Sequence, residues 1–371
     1  MGSLASEGFQ EATLVLGGPG ELAFSLTEHL LSFRPRMDVY LLVPSGGGAS
    51  GEEAQGVLAR HKGRVHVIEC ELEALDFGLS GAKYVDLLGK IRWVHHTAGL
   101  SEWSHGQSSV RAGEQRERLV GSMREVLAFC RAAAGLEKLV VYSSLAVSGQ
   151  HAGEFREDDL HVGQKFSSEC EEGLAVAEQM ARAESSSLPI TTLRAAAIVS
   201  DIHLDPPLAW GPVLDGWFDL LASRSALHVP PHVRGDELLY LTPLEYVVRA
   251  GVFLSGARAA AGQTVHLVEE SAPTVRDVLG KVAEVIGRVP PVFGATPGNW
   301  LSTPRFGRAG RRERAFWSQL RLGLRYGTTN AARFLSAAGL ACPSISSWLV
   351  PSVERLRLGD ELPAGPGRTN A

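Results

Sequence analysis

Short apolar runs alternate with amphipathic segments along the first 200 residues of the chain. Residues 14–16 predict a buried strand, and the segment that follows places Phe24, Leu26, Leu30 and Leu31 on the apolar positions of a helix. Five more apolar runs predict strands at residues 38–43, 65–68, 93–96, 139–142 and 190–199. Helical spacing recurs at residues 123–134 and 171–183. This alternation predicts an α/β fold with a doubly wound parallel sheet.

The pattern changes past residue 200, where prolines cluster. Residues 238–241 and 265–268 predict short strands, and residues 275–286 predict an amphipathic helix. We therefore expect a large α/β domain over residues 10–200 and a smaller mixed α/β lobe over residues 201–371, interleaved with the last strands of the first domain. In that arrangement a substrate binds between the lobe and the carboxyl ends of the sheet strands.

The composition narrows the class of protein. With 371 residues, 44% of them apolar, the chain can bury a full core. A net charge of −5 does not suggest nucleic-acid binding, and no apolar run reaches the roughly 18 residues that span a bilayer. The first residues show no secretion signal, so we expect a cytoplasmic protein. The four scattered cysteines predict reduced thiols and no zinc site.

A glycine-rich turn separates the first predicted strand from the first predicted helix. Gly17, Gly18, Gly20 and Ala23 give the pattern G-x-x-G-x-x-A. Gly17 permits a tight turn, Gly20 allows the backbone to approach a phosphate, and Ala23 allows the helix to pack close to its strand. A strand, turn and helix in this order bring a dinucleotide pyrophosphate to a helix N-terminus. The sequence therefore predicts a Rossmann-type domain that binds a dinucleotide.

The sequence does not choose between NAD and NADP. The position after the second strand, near Pro44, carries neither the acidic residue typical of NAD nor a basic residue. Arg60, His61 and Lys62 follow further on, as ligands of a 2′-phosphate or as a solvated helix end. The pair His95–His96 is not predicted to bind a metal, because adjacent residues of a strand point to opposite faces.

Several further motifs occur in a fixed order along the chain. After the glycine turn come Cys70-Glu71-Leu72, His96-Thr97-Ala98-Gly99, Tyr142-Ser143-Ser144, Leu193-Arg194-Ala195 and Pro243-Leu244-Glu245-Tyr246-Val247. This ordered set resembles the extended short-chain dehydrogenases/reductases, in the branch of thioester reductases and NAD-dependent epimerases and dehydratases. The resemblance implies that the dinucleotide contacts Gly17, Gly18, Pro19, Gly20, Glu21, Leu22, Glu71, Leu72, Thr97, Ala98, Gly99 and Ala195.

The acid–base residues of that family are missing. The family pairs a tyrosine, as the acid, with a lysine four residues later, and Ser144 occupies the position of its substrate-orienting serine. The tyrosine position falls on Cys170 and the lysine position on Leu174. An alignment slip does not explain this, because no tyrosine lies between Tyr142 and Tyr240. The family's relay asparagine is also absent.

Three substitutes for the missing acid are left open. His161 and Lys165 have the tyrosine–lysine spacing, although they come early, in a predicted loop. Cys170 is a thiol acid or nucleophile, or else a small apolar filler, because neighbouring glutamates oppose a thiolate. The third substitute is a donor from elsewhere, for which the candidates are Trp103, His105, His151 and Tyr240.

Three functions remain open at this point. The first is an NAD(P)-dependent oxidoreductase that reduces a carbonyl or conjugated intermediate in secondary, fatty-acyl or polyketide metabolism. The second is a non-redox isomerase, dehydratase or cyclase, and the third is a catalytically silent dinucleotide-binding regulator. The substrate is a small molecule or is bound to a carrier protein or coenzyme A, for which the arginine-rich residues 305–325 offer a dock. A homodimer is left open.

Overall fold

A computed structural model describes residues 11–17, 20–44, 59–61, 63–100, 114–199, 226–228, 233–293 and 323–357. Its strands, in chain order, are β1 Ala12–Leu16, β2 Asp38–Pro44, β3 Val65–Cys70, β4 Ile91–His96, β5 Lys138–Ser144, β6 Gly153–Phe155, β7 Ile190–Ala195, β8 Ala197–Val199, β9 Ala226–His228, β10 Leu241–Pro243, β11 Gln263–Leu267, β12 Val289–Val292 and β13 Leu324–Tyr326. Its α-helices are α1 Glu21–Phe33, α2 Gly81–Lys90, α3 Glu114–Ala132, α4 Glu169–Ala183, α5 Leu244–Gly256, α6 Val275–Val285, α7 Thr329–Phe334 and α8 Ile345–Arg357.

The centre of the fold is a seven-stranded sheet in the order β11-β7-β5-β4-β1-β2-β3. All its paired strands are parallel. Apolar side chains of α1 and α5 pack with one face of the sheet, and those of α3 pack with the other. This is the predicted doubly wound sheet, and its strand order reverses between β4 and β1. Ligands of such sheets bind at that point, outside the carboxyl ends of the strands.

Two predicted strands turn out differently from the expectation. The single strand predicted over residues 190–199 is interrupted at Ala196, and its second part, β8, leaves the main sheet to pair with β10. The strand predicted at residues 265–268 is β11, which forms an edge of the main sheet beside β7. Apolar periodicity reports burial but not which sheet a strand joins, so neither outcome was visible in the sequence.

A smaller apolar cluster lies past the end of the main sheet. It joins Val199 of β8 and Leu241 of β10 to Leu279 of α6 and Leu349 of α8. Among the described residues, two further two-stranded sheets pair β9 with β12 and β6 with β13. None of the described helices is long and apolar enough to cross a membrane.

Candidate active site

Gly17 ends β1 in a turn that packs directly against the turn after β4. Its φ angle is +112°, and a Cβ there would lie 2.7 Å from Ala98 Cα and 2.8 Å from Thr97 Oγ1. Both the amide and the hydroxyl of Thr97 donate hydrogen bonds to Leu16 O, at 2.7 and 2.9 Å. Only glycine combines this backbone angle with so close an approach, so the turn has the shape that the sequence predicted.

The N-terminus of α1 follows this turn. Gly20 is the N-cap residue, in extended conformation at φ −162°, and no side chain caps the helix there. Leu22 and Ala23 are buried against the core, and Glu21 lies in the first turn of the helix. Uncapped amides at a helix N-terminus are donors suited to a phosphate. Gly18 and Pro19, also predicted to contact the dinucleotide, lie outside the described residues.

The end of β3 carries two of the residues predicted to contact the dinucleotide, Glu71 and Leu72. Glu71 is exposed, whereas Cys70 and Leu72 are buried in the core on the α3 face. The Glu71 amide donates to Phe77 O at 3.0 Å, which ties the strand end to the following turn. Burial, with the nearby charges of Glu73 and Glu71, raises the pKa of Cys70 to about 12.

Arg60 and His61 contact α1 and the residues that follow it, and not the carboxyl edge of the sheet. Arg60 forms an ion pair with Glu28 on α1, and its Nε donates to the same carboxylate at 2.8 Å. His61 Nδ1 lies 3.3 Å from the guanidinium of Arg64, which donates to Pro35 O beyond the C-terminal end of α1. Both residues precede β3 and therefore lie at the amino edge of the sheet, so this placement does not support contact with a 2′-phosphate. Lys62 lies outside the described residues.

Ser144 ends β5, beside Ala195 of β7 with which it pairs in the sheet. The side chain is buried, and its Oγ accepts a hydrogen bond from the Ala146 amide at 3.1 Å. Among the described residues the Ser144 hydroxyl donates to no partner, so its hydrogen remains available to a ligand. The carboxyl ends of β1, β4, β5 and β7 thus bring together Gly17, Thr97, Ala98, Gly99, Ser144 and Ala195.

A buried ion pair, which sequence analysis did not predict, lies next to Ser144. Ser143 Oγ donates to Glu178 Oε1 at 2.5 Å, and the fully buried Arg194 pairs with Glu178 Oε2 at 2.7 Å. Arg194 also donates to His266 Nε2 at 3.2 Å. Because arginine only donates, His266 carries its proton on Nδ1, which donates to Gly327 O at 2.8 Å. Burial, with the charge of Arg194, lowers the pKa of His266 well below its usual value.

Cys170 and Leu174 fill the positions of the family's tyrosine and lysine with apolar surface. Both belong to α4 and are almost fully buried, in a cluster with Leu145 and Ala146. A Cβ on Gly99 would lie 2.8 Å from Tyr142 O and 3.0 Å from Leu174 Cδ2. Leu174 therefore packs directly against the turn after β4, where the resemblance places a charged lysine.

The other candidate donors lie in separate places. His161 is exposed and contacts Gln179 Oε1 through Nε2 at 2.9 Å, while Lys165 is exposed in the loop before α4. His151 Nε2 lies 3.2 Å from Glu154 O. Tyr240 is buried, with its ring edge-on to Tyr326 at 5.0 Å. Trp103 and His105 lie outside the described residues.

His95 and His96 point to opposite faces of β4, as predicted. His95 Nδ1 lies 3.0 Å from the Tyr142 hydroxyl on the α5 face, and His96 Nε2 lies 2.8 Å from Ser122 Oγ on α3. Burial lowers the pKa of His95 to about 3, with a contribution from Arg34, and that of His96 to about 4. Both rings are therefore neutral core groups. The described residues contain no group of three or more side chains arranged to hold a metal ion.

Comparison with known proteins gives the same architecture. The crystal structure of the terminal R domain from the myxalamid PKS-NRPS biosynthetic pathway is 22% identical, with a TM-score of 0.73 over 95% of this chain and 91% of that chain. A thiolation-reductase di-domain from an archaeal non-ribosomal peptide synthetase is 14% identical, with a TM-score of 0.65 over 94% and 90%. UDP-glucuronic acid 4-epimerase from Bacillus cereus, in complex with NAD, is 14% identical, with a TM-score of 0.62 over 93% and 99%.

Sequence comparison identifies the family. No curated protein matches the chain significantly. The family model for NAD-binding proteins described as male sterility protein matches residues 15–251, which is more than half of the chain and runs from β1 into α5. Those residues include the glycine turn, Ser144 and the whole of α4. The chain therefore belongs to this NAD-binding family, an extended branch of the short-chain dehydrogenases/reductases.

Proposed function

We propose that this protein is an NAD(P)-dependent reductase of a carbonyl or conjugated substrate that is carried by a protein or by coenzyme A. One observation carries the proposal, namely the Gly17 turn closed against Thr97 and Ala98, with the uncapped N-terminus of α1 beside it. This turn leaves no room for a side chain and presents backbone amides at the switch point of the sheet. That shape suits a pyrophosphate.

Residues at the carboxyl edge of the sheet would bind the dinucleotide and orient the substrate. The α1 amides and Gly20 would hold the pyrophosphate, Glu71 and Leu72 the adenine end, and Ala195 the nicotinamide end. The bound nicotinamide supplies a hydride to the carbonyl carbon. Ser144 Oγ already accepts from Ala146 N, so its own hydrogen would point to the carbonyl oxygen and orient it. Cys170, His161 and Lys165 remain predictions as the proton source.

The carrier-bound substrate rests on two supports. The chain is similar in fold to R domains of carrier-linked synthetases and to a thiolation-reductase di-domain. The sequence also has seven arginines against one acid over residues 305–325, of which residues 305–322 lie outside the described part. We propose a role in secondary metabolism on the ground of the R-domain similarity, and a cytoplasmic location stays a prediction from the sequence. Residues 10–200 would bind the dinucleotide and residues 201–371 most of the substrate, with α5 and β11 completing the dinucleotide domain. A homodimer remains a prediction.

Calorimetric titration with NADH and NADPH tests the dinucleotide site. Micromolar binding of one of them supports the proposal and chooses the cofactor. Gly20→Ala and Gly20→Asp form a matched pair, because the extended φ at this position suits any residue. We expect the aspartate variant to lose at least tenfold in affinity, since its carboxylate would face the pyrophosphate, and the alanine variant to lose less, because it adds a methyl group but no charge. A folded protein that binds neither dinucleotide would contradict the proposal.

Cys170 and Leu174 favour a second candidate function. Their burial in an apolar cluster leaves no acid–base pair at the family's position, which suits a non-redox enzyme or a silent dinucleotide-binding regulator. The two candidates differ in cofactor turnover. Oxidation of added NAD(P)H by carrier-bound acyl substrates supports the reductase. Tight dinucleotide binding without oxidation of any substrate tested would favour the second candidate.

A further inference from the structure

Two phenylalanines are exposed next to each other near the C-terminal ends of α1 and α5. Phe33 is 72% exposed and Phe253 is 40% exposed. One helical turn earlier lie His29 on α1 and Arg249 on α5, which are close enough that the charge of Arg249, after the larger effect of burial, lowers the pKa of His29. Both helices lead into parallel strands of the main sheet, so they run in the same direction. One further turn along each helix therefore brings the two phenylalanines together.

Arg34 connects the same two helix ends. Its Nη2 lies 3.7 Å from the position that a Cβ on Gly256 would occupy, and its guanidinium stacks on the ring of Trp93 at 4.1 Å. Arg34 follows Phe33 directly in the chain, and it thus lies against the last turn of α5, which begins with Phe253. This second contact agrees with the alignment of the two helices that His29 and Arg249 indicate.

Two further arginines follow the ends of these helices. Arg36 comes three residues after the end of α1 and Arg258 two residues after the end of α5, and both are exposed. Within the described part of the chain, neither guanidinium has an ion-pair or hydrogen-bond partner. We call the surface formed by Phe33, Arg34, Arg36, Phe253 and Arg258 the aromatic–basic patch.

Glutamates on the same helices do not offset the charge of this patch. Glu28 on α1 forms an ion pair with Arg60, and Glu245 on α5 forms one with Arg249. Each of these acids is therefore matched by an arginine outside the patch. The patch keeps a net positive charge around its two aromatic rings.

The aromatic–basic patch lies at the amino edge of the main sheet. α1 ends shortly before β2 begins, and α5 ends shortly before β11 begins, so both helix ends are at this edge. The glycine turn and Ser144 are at the opposite, carboxyl edge. A partner bound to the patch would leave the crevice of the dinucleotide open.

The composition of the patch indicates the chemistry of its partner. Protein–protein interfaces are enriched in aromatic residues and arginine and depleted in lysine, and every cation of the patch is an arginine. The planar guanidinium pairs with a carboxylate through two parallel hydrogen bonds. An exposed phenylalanine ring gains free energy when an apolar side chain removes it from water. Carboxylates next to apolar side chains complement both features.

We propose that the aromatic–basic patch binds an acidic polypeptide segment of another protein. Carboxylates of the segment lie against Arg36 and Arg258, and its apolar side chains lie against Phe33 and Phe253. The patch is separate from the arginine-rich residues 305–325 and does not depend on the proposed reductase activity.

Fluorescence anisotropy of a labelled helical peptide, with leucine along one face and glutamate along the other, tests the proposal when the whole chain is titrated into it. We expect this peptide to bind at least tenfold more tightly than a matched peptide with lysine in place of glutamate, because the charges then repel. A matched peptide with serine in place of leucine should also bind at least tenfold more weakly. Added salt should weaken the binding, since the contacts are exposed. No binding of the leucine–glutamate peptide by the folded protein would overturn the proposal.

Variants at exposed positions locate the binding without disturbing the fold. Phe33→Ser and Phe253→Ser each remove one ring, and we expect at least fivefold weaker binding of the peptide. Arg36→Glu and Arg258→Glu reverse one charge each and should weaken it at least tenfold.

Two matched changes outside the patch are the controls. Leu75→Ser replaces a leucine that is 79% exposed, and Lys83→Glu reverses an exposed charge in α2. The apolar side chains of α2 pack on the α3 face of the sheet, opposite to α1 and α5. Both controls should bind the peptide as wild type does. Equal affinity of the patch variants and the controls would contradict the proposal.

Two other occupants of the patch give different results. Co-sedimentation with vesicles of phosphatidylserine and phosphatidylcholine that is lost in Phe33→Ser would assign the patch to a lipid surface and overturn the proposal. A dimer in analytical ultracentrifugation that Phe253→Ser dissociates would assign it to a second copy of this chain, with the same consequence. We expect neither vesicle binding nor a dimer that depends on these residues.

Discussion

The chemistry of Cys170 follows from where its thiol lies. It is the second residue of α4, a position that can activate a thiol, yet its side chain is 3% exposed and packed with Leu145 and Leu174. A reactive cysteine needs both a stabilised thiolate and access. The structure denies it access in this state, so a role as nucleophile requires that α4 or its neighbours move.

Alkylation of the native protein tests this point. We expect iodoacetamide at pH 8 to leave Cys170 unmodified for as long as the protein stays folded, and to modify it rapidly in urea. Cys70 and Cys342 serve in the same experiment as references for thiols of low reactivity. Burial, together with nearby glutamates, raises the pKa of each to about 12. The site of modification is read by mass spectrometry. Selective labelling of Cys170 in the folded protein would instead support its role as a nucleophile.

Glycine is required at position 251 in α5 because the helix packs closely against Tyr142. A Cβ at this position would clash with the Tyr142 hydroxyl and lie 2.7 Å from Tyr142 Cζ. Alanine is normally the better helix former by about 1 kcal/mol. Here steric overlap outweighs propensity, and we expect Gly251→Ala to lower the free energy of unfolding by about 1–3 kcal/mol.

Chemical denaturation of two variants checks this expectation. Gly280→Ala, in α6 with nothing within 4 Å of the added methyl, is the control and should be neutral or stabilising. The double variant Gly251→Ala with Tyr142→Phe should recover part of the loss, because the clashing hydroxyl is gone. If Gly251→Ala proves as stable as the control variant, Tyr142 can move, and the tight contact does not constrain α5.

At the scale of residues, the sequence alone identifies a residue type that a particular backbone conformation requires. Gly17 was predicted from its place between a strand and a helix, and it has the positive φ angle that the prediction requires. The contact between Glu178 and Arg194 was not predicted, because a helix residue and a strand residue meet there only through the tertiary fold.

At the scale of elements, Thr242 explains why the strand predicted over residues 190–199 divides. Its hydroxyl accepts a hydrogen bond from the Ala196 amide at 3.1 Å and donates to Leu267 O at 2.7 Å. Ala196 lies between β7 and β8, and Leu267 ends β11. One buried side chain therefore bridges the point where the chain leaves the main sheet, and it takes the place of the ladder bonds that a continuous strand would make.

Thr242→Val preserves shape and removes both hydrogen bonds. It leaves a buried amide and a buried carbonyl unpaired, so we expect the free energy of unfolding to fall by about 1–3 kcal/mol. Thr264→Val in β11 is the control, since no hydrogen bond of the Thr264 hydroxyl to a described residue is present and the residue is similarly buried. Urea denaturation of the two variants gives the comparison. Equal stability of the two would show that the Thr242 hydroxyl does not hold the strand break.

At the scale of the whole molecule, the two edges of the sheet carry different chemistry. The carboxyl edge carries the glycine turn and Ser144, and the amino edge carries a buried cation, Lys138, at the start of β5. Lys138 Nζ donates to Ala257 O, just past the C-terminus of α5, at 2.9 Å, and to Thr191 Oγ1 at 3.3 Å. The negative end of the α5 dipole favours the cation, but burial outweighs it and lowers the pKa of Lys138 to about 8.

This pKa makes stability depend on pH in a definite direction. Between pH 8 and the ordinary lysine pKa of about 10.4, the unfolded chain binds the proton and the folded protein does not, so folding becomes more favourable as pH rises. Below pH 8 both states are charged, and the folded state bears the full cost of burial. The gain across this window is about 3 kcal/mol at most. Tyrosine and cysteine groups with raised pKa values act in the opposite direction, so wild type alone cannot isolate the effect.

Lys138→Met isolates the effect of this titration, because methionine keeps the unbranched shape and most of the length of the side chain but has no titratable group. We expect the stability of wild type relative to Lys138→Met to rise steadily from pH 8 to pH 10 and to stay level between pH 6 and pH 7. Urea denaturation at each pH measures the difference, in which the tyrosine and cysteine contributions cancel. Lys90→Met, at an exposed lysine paired with Asp86, is the control and should show no such rise. Parallel curves for wild type and Lys138→Met would mean that Lys138 stays charged throughout and that the hydrogen bonds to Ala257 and Thr191 offset its burial.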